Sequence, residues 1–244
     1  SHPITVERIS DMQNRLQQTP YRQVRDSLDY QLVRAKLRAQ QGTPKEAVAE
    51  FETRLRERKF VSEDSARYGL AYAHFRAKDY AAAGRELEPL RQQQREGGSA
   101  MIESLAGEVR AATGDVAGAA TLFREALLRF PRSRALAYGY ADALFSLRDY
   151  ARLETFVDAQ LRSFASDAKL YGILARMHAE QGRKSRQHLA LAEMYALQGR
   201  LLQAIEQLQF AQRAGDGNFY EQSVIDARLR ELKQQQAEAA KERK

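Results

Sequence analysis

Four histidines, His2, His74, His178 and His188, are the side chains of this sequence best suited to hold a metal. No two stand at the i, i+4 spacing that brings two imidazoles onto one helix face, and the HExxH pattern is absent. An imidazole becomes a ligand only where partners converge on it. His74, His178 and His188 fall on helical stretches, so they read as packed or solvated residues. The sequence shows no glycine-rich phosphate loop, nucleophile elbow or paired-carboxylate constellation. Its Asp and Glu residues sit on helix faces, where pairs at i, i+4 are solvated salt bridges. Catalysis by these residues is not expected, and no cofactor is expected in them.

Recognition is the chemistry that remains, and it depends on where helices place Tyr, Phe and Arg. Ala, Leu, Gln, Glu and Arg dominate the chain, with only 14 glycines and 5 prolines to interrupt it. Those residue types lose little side-chain entropy in a helix, so an all-α fold is predicted. The clearest unit runs from Ala100 to Ser133. Gly107 stands midway along a first helix, Gly114-Asp115 makes a turn, and Ala119, Phe123, Ala126 and Pro131 follow. A small residue at Gly107 and another at Ala119 let two antiparallel helices approach. Phe123 and Ala126 can then pack onto the next hairpin, and Pro131 closes the unit. This order matches a tetratricopeptide repeat, whose period is about 34 residues.

Stepping by that period finds further units. Forward lies Ala141, within Ala135–Leu147, then the turn Arg148-Asp149-Tyr150 and Leu153 and Val157; departure from the pattern there predicts a looser pairing. Backward, Ala71 precedes the turn Lys78-Asp79-Tyr80, Ala83 and Leu87. One further step gives Ala35, Gly42, Ala47 and Phe51, with Thr43, Pro44 and Glu46 placed as a capping box. Beyond Asp167 the phase slips by about half a unit. Helices over Ala168–Glu180 and Ser185–Leu197 end at Gly182 and Gly199, and Ala192, Gly199, Ala204, Leu208 and Ala211 repeat the pattern. A final helix over Phe219–Leu232 is expected to turn Phe219, Val224, Ile225, Leu229 and Leu232 toward the stack as its cap. A tail that reads as a frayed helix, Lys233–Lys244, follows.

The expected architecture is therefore an all-α, tetratricopeptide-type helical hairpin solenoid with an irregular C-terminal helical cap. In this register the inner groove is lined by Tyr68, Tyr72, Phe75 and Arg76 in one hairpin and Tyr138, Asp142 and Phe145 two hairpins on. Each of these positions suits the core between repeats equally well. Tyr and Arg are the types enriched at protein-binding hot spots.

Composition sets aside other partners. The net charge is +7, but 39 Lys and Arg are dispersed among 32 Asp and Glu, without the clustered patch that nucleic acid requires. No apolar run approaches the roughly 18 residues of a membrane span. The chain has no cysteine, which excludes disulfides and thiolate zinc sites and suits an oxidising compartment as well as the cytosol. It opens Ser-His-Pro without a Met, as a piece of a longer protein would.

Ser1-His2-Pro3-Ile4-Thr5-Val6-Glu7-Arg8-Ile9 resembles the segment that closes the catalytic domain of HtpX-like and BepA-like zinc metallopeptidases. Leu191–Arg200, Ala204-Ile205-Glu206-Gln207-Leu208 and Ala227–Leu232 are similar to the repeat region of BepA-type periplasmic proteases. The resemblance implies a repeat region without its catalytic domain. Residues 1–26 would be a trailing segment or linker, 27–215 the solenoid, 216–235 a capping helix and 236–244 a charged tail. It further implies a periplasmic location, and unfolded polypeptides or the outer-membrane assembly machinery as partners. Zinc is implied for the missing catalytic domain, which His2 would approach or cap. A free-standing scaffold unrelated to proteolysis is the alternative.

Overall fold

Helix starts in this chain coincide with side chains able to accept from the backbone N–H groups that a helix leaves unpaired. In the computed structural model, which describes residues 8–10, 14–15, 26–93 and 98–241, twelve helices lie between Leu28 and Lys241 among the described residues. The resembling segment at residues 1–9, with His2, falls largely outside the described residues.

The first hairpin pairs α1 (Leu28–Ala39) with α2 (Pro44–Arg56), and the second α3 (Glu63–Arg76) with α4 (Tyr80–Gln93). The third pairs α5 (Ala100–Ala112) with α6 (Val116–Arg129), and the fourth α7 (Arg134–Ser146) with α8 (Tyr150–Ser163). Then come α9 (Ala168–Glu180), α10 (Lys184–Leu197), α11 (Leu201–Ala214) and α12 (Phe219–Lys241). Ser27, Thr43, Ser62, Ser99, Asp115, Ser133, Asp149 and Asp167 cap their helices. At α2 the capping box is complete: Glu46 N–H donates to Thr43 Oγ1 at 3.3 Å, and Thr43 N–H to Glu46 Oε2 at 2.8 Å. Such a cap contributes about 1 kcal/mol.

Within each regular hairpin one turn residue adopts a left-handed backbone. Gly42 and Gly114 hold it at φ 62° and 94°, but in the second and fourth hairpins Lys78 and Arg148 hold it at 62° and 56°. A β-carbon costs roughly 1–2 kcal/mol in that region, so packing on either side must impose these two turns.

The stack is held by large rings set against missing side chains. Phe123 of α6 lies against Gly107 of α5 and Gly139 of α7; a β-carbon on either glycine would come within 2.4 Å and 2.5 Å of the ring. Phe51 of α2 meets Gly69 of α3 in the same way, at 2.2 Å. Phe123 thus joins its own hairpin to the next, as the repeat pattern predicts. α8 buries Leu153 and Val157 fully, and its Tyr150, Phe156 and Leu161 pack partly buried against the same core.

Two buried carboxylates pin neighbouring helices. Glu103 of α5 meets Arg91 of α4 at 3.0 Å and Arg129 of α6 at 2.7 Å. Asp167 caps α9 and accepts from the Tyr138 hydroxyl of α7 at 2.7 Å, while Arg134 stands 3.1 Å away.

The last part departs from the regular scheme. α9 and α10 are joined by Gln181-Gly182-Arg183, and α10 and α11 by Gln198-Gly199-Arg200, the same tripeptide half a repeat later. α10 packs on both α9 and α11 and reaches α12. Its N-terminus has no local cap; Asp216, beyond α11, accepts from the Lys184 and Ser185 N–H groups at 2.6 and 2.9 Å. Ile225, Leu229 and Leu232 of α12 are buried, but Phe219 and Val224 are not: Phe219, at the first position of the helix, is 90% exposed. α12 runs without a break to Lys241, so the helical tail expected after Leu232 is continuous with the capping helix. No helix among the described residues is long and apolar enough to cross a membrane.

Candidate protein-binding groove

The first helices α1, α3, α5, α7 and α9 touch one another along the stack, whereas α2, α4, α6 and α8 pack on the first helices beside them. The layer of first helices therefore forms a continuous wall. α5, α7 and α9 start at Ala100, Arg134 and Ala168, 34 residues apart, so equivalent side chains form rows across that wall. One row carries Tyr72, Glu108, Asp142 and Arg176. Beside it run Phe75, Ala111, Phe145 and Ala179, and on the other flank Tyr68, Ser104, Tyr138 and Gly172.

Two open depressions lie along the wall. One of about 560 Å³ is lined by Phe75, Glu108, Ala111, Tyr138, Asp142 and Lys169 among others. The other, of about 750 Å³, is lined by Asp142, Lys169, Gly172, Arg176, Leu191 and Met194 among others. They meet at Asp142 and Lys169.

Five of the seven predicted residues stand half-buried on this wall: Tyr72, Phe75, Tyr138, Asp142 and Phe145. Tyr72 accepts from Gln40 Nε2 at 3.1 Å, lies beneath Lys36 at 5.0 Å, and neighbours Phe75 at 6.4 Å between ring centres. Arg176 pairs with Asp142 at 3.3 Å and covers the Phe145 ring at 4.4 Å. Lys169 stands 4.1 Å above the Tyr138 ring. Burial, reinforced by the Asp167 carboxylate, pushes the Tyr138 hydroxyl up to about 12.

Two expectations need correction. Tyr68 is 1% exposed and belongs to the core cluster of Leu70, Ile102 and Leu105; burial pushes its hydroxyl well above the usual tyrosine range. Its position faces the seam between first helices, where a ring is covered by the next hairpin. Arg76 is engaged within the chain. Its guanidinium donates to the carbonyl oxygens of Ala39 and Gly42, stapling α3 to the end of α1 and its turn.

Lys169, Gly172, Arg176, Leu191 and Met194 were not anticipated. Extending the period one unit from Tyr138 and Asp142 reaches Gly172 and Arg176 directly, so the signal was present for two of them. Leu191 and Met194 lie on α10, half a unit out of that register, so the period does not reach them.

The histidines do not join the groove as a group. His74 stands 3.8 Å from Asp79, His188 Nδ1 lies 2.8 Å from Gln207 Oε1, and His178 is buried. Among the described residues no group of three or more His, Asp or Glu side chains is placed to hold a metal ion.

The tetratricopeptide repeat family matches residues 30–90 and 105–152. The fold is a tetratricopeptide-repeat solenoid. A solved tetratricopeptide repeat protein from Parabacteroides merdae superposes on it with a TM-score of 0.52 at 14% identity, covering 93% of this chain and 90% of that one. A thermophilic repeat protein of Thermus thermophilus gives a TM-score of 0.46 at 16% identity, covering 82% and 98%. By sequence the solenoid is 26% identical over 234 residues to the beta-barrel assembly-enhancing protease of Yersinia pestis, covering 96% of this chain. It spans 48%, about half, of that relative's length.

Proposed function

We propose that this solenoid is the protein-binding arm of a periplasmic zinc metallopeptidase, holding unfolded or assembling outer-membrane proteins for the catalytic half. The observation that carries the reading is the set of half-buried aromatic rings, Tyr72, Phe75, Tyr138 and Phe145, spread over three adjacent rows on the wall of first helices. Likeness over nearly the whole chain to a protease named for β-barrel assembly supports the choice of client. Aromatic burial would supply affinity, and Lys169 and Arg176 orientation. Zinc belongs, in this proposal, to the other half of the protein, toward which His2 would project. A His2→Ala change in the full-length protein that left both peptidase activity and metal affinity intact would remove His2 from that role.

Binding of a urea-unfolded outer-membrane β-barrel protein to the chain, measured by fluorescence anisotropy, tests the arm itself. A Phe75→Ala/Phe145→Ala variant is expected to weaken capture at least about tenfold, the loss of roughly 1.4 kcal/mol, while remaining folded by circular dichroism. Undiminished capture by the double variant would contradict the reading. Absence of capture by the wild type would favour a scaffold unrelated to proteolysis.

A further inference from the structure

Each hairpin of a solenoid packs on its neighbours, so one side of a first helix is covered by the outer helix of the hairpin before it. The third, sixth and tenth residues of the first helices lie on that side. They are Ile102, Leu105 and Val109 in α5, Leu136, Gly139 and Ala143 in α7, and Leu170, Ile173 and Met177 in α9. The side chains at these positions are buried. Phe123 of the preceding outer helix fills the space at Gly139, and a β-carbon on Gly84 of α4 would meet Val109 at 3.9 Å. In α1 the same three positions are Tyr30, Val33 and Leu37, which are between 42% and 57% exposed. At i, i+3 and i+7 they form one apolar stripe along the helix. α1 thus carries the residue types of a covered side, and the described residues leave that side open.

The spacing of the stack says where the cover lies in the sequence. Outer helices start at Pro44, Tyr80, Val116 and Tyr150, and the first helices they cover start at Glu63, Ala100, Arg134 and Ala168. The interval is 18 to 20 residues, so a cover for α1, which starts at Leu28, would start between residues 8 and 10. Residues 8–10 and 14–15 are helical, and Ile9 is exposed. Each outer helix buries its fourth and eighth residues: Ala47 and Phe51, Ala83 and Leu87, Ala119 and Phe123, Leu153 and Val157. Counted from Ile9, those positions hold Met12 and Leu16. Pro20 would stop such a helix at Thr19 or before, past both residues and with room to turn back into Leu28.

We propose that residues 9–19 form the outer helix of a leading half-repeat and dock on α1, with Met12 and Leu16 against Tyr30, Val33 and Leu37. The solenoid then begins at residue 9, within the stretch expected from the sequence to be a trailing segment or linker. In the proposed peptidase this joint would hold the wall at a fixed angle to the catalytic half. The docking itself does not depend on that reading.

Hydrogen exchange followed by mass spectrometry on the full chain tests it. A helix this short is marginal in water by itself, so its amides exchange almost freely unless it is docked. Amides of residues 12–19 are expected to exchange at least about tenfold more slowly than in the same segment as a free peptide. Val33→Glu should remove that protection while leaving α1 protected, although a substitution at an exposed helix position otherwise changes little. Leu128→Glu, on the exposed face of α6, should leave it intact. In a Leu16→Cys/Val33→Cys variant of this cysteine-free chain, mild oxidation should close a disulfide within one chain. Exchange of residues 12–19 as fast as in the free peptide, or protection that survives Val33→Glu, would overturn the proposal. A disulfide between two chains would overturn it in favour of a second copy as the cover. No client takes part in these measurements, so failure of this inference and failure of the protein-binding reading are told apart.

Discussion

The ring of Phe123 occupies the space in which a side chain at Gly139 would stand, one hairpin further along the stack. Continuity between the third and fourth hairpins rests on that relationship, since Phe123 is 1% exposed and simultaneously fills the gap at Gly107.

Gly139→Ala sets two effects against each other. Alanine gains about 1 kcal/mol of helix propensity over glycine, but its methyl group would sit 2.5 Å from an immobile ring. Overpacking of that kind costs typically 1–3 kcal/mol, so a net loss of about 1 kcal/mol is expected in urea denaturation. Gly84→Ala is the matched control. Its β-carbon would meet only Val109 Cγ1 at 3.9 Å, an ordinary contact, so a gain of up to about 1 kcal/mol is expected. Equal effects at the two sites would contradict the packing account.

Arg148 holds a left-handed turn at φ 56° that glycine holds in the third hairpin. Arg148→Gly should raise stability by about 0.5–1 kcal/mol, the relief of the β-carbon less the added freedom of the unfolded chain. A lowered melting temperature would show that the arginine side chain contributes a contact that outweighs the strain.

His178 titrates below its ordinary value because burial disfavours the imidazolium, with Arg183 and Arg186 adding repulsion and Glu154 opposing it. The unfolded chain therefore takes up the proton first as pH falls. Stability is present above about 6.5 and declines below it, toward the lowered folded value. Denaturation midpoints between about pH 7 and 5 should fall for the wild type and fall less for His178→Gln. Parallel curves would rule out His178 as the source.

Tyr138 gives the opposite edge of the pH profile. Its folded value, about 12, lies above the ordinary 10.0, so the unfolded chain loses the proton first. The stability it contributes is complete below about pH 10 and lost as pH rises toward 12. Tyr138→Phe should soften that alkaline loss. At neutral pH it should cost about 1 kcal/mol through the missing hydroxyl bond to Asp167.

Much of this fold was legible because helix spacing and turn chemistry agree in the sequence. Thr43, Pro44 and Glu46 mark a helix start without reference to anything distant, and Gly107, Ala119 and Phe123 state which faces must meet. Tyr68 was not legible as core. It occupies the same row as Tyr138, and only the neighbouring hairpin decides which ring is covered. Arg76 reads as a recognition residue in isolation; its carbonyl partners on Ala39 and Gly42 lie a full repeat away. Phe219 fits an apolar pattern for α12, yet its direction depends on how α12 crosses α11. The depression between α9 and α10 draws Gly172 and Arg176 from one helix and Leu191 and Met194 from the other, and no local signal states that these faces meet.

The most direct test places a photo-crosslinking amino acid at Arg176 on the inner wall and, separately, at Leu128, which is 81% exposed on α6 of the outer layer. Each variant is then mixed with an unfolded outer-membrane β-barrel protein and irradiated. The account predicts crosslinks to the client from position 176 and few or none from position 128. Equal labelling from both positions, or labelling from 128 alone, would contradict capture by the wall of first helices.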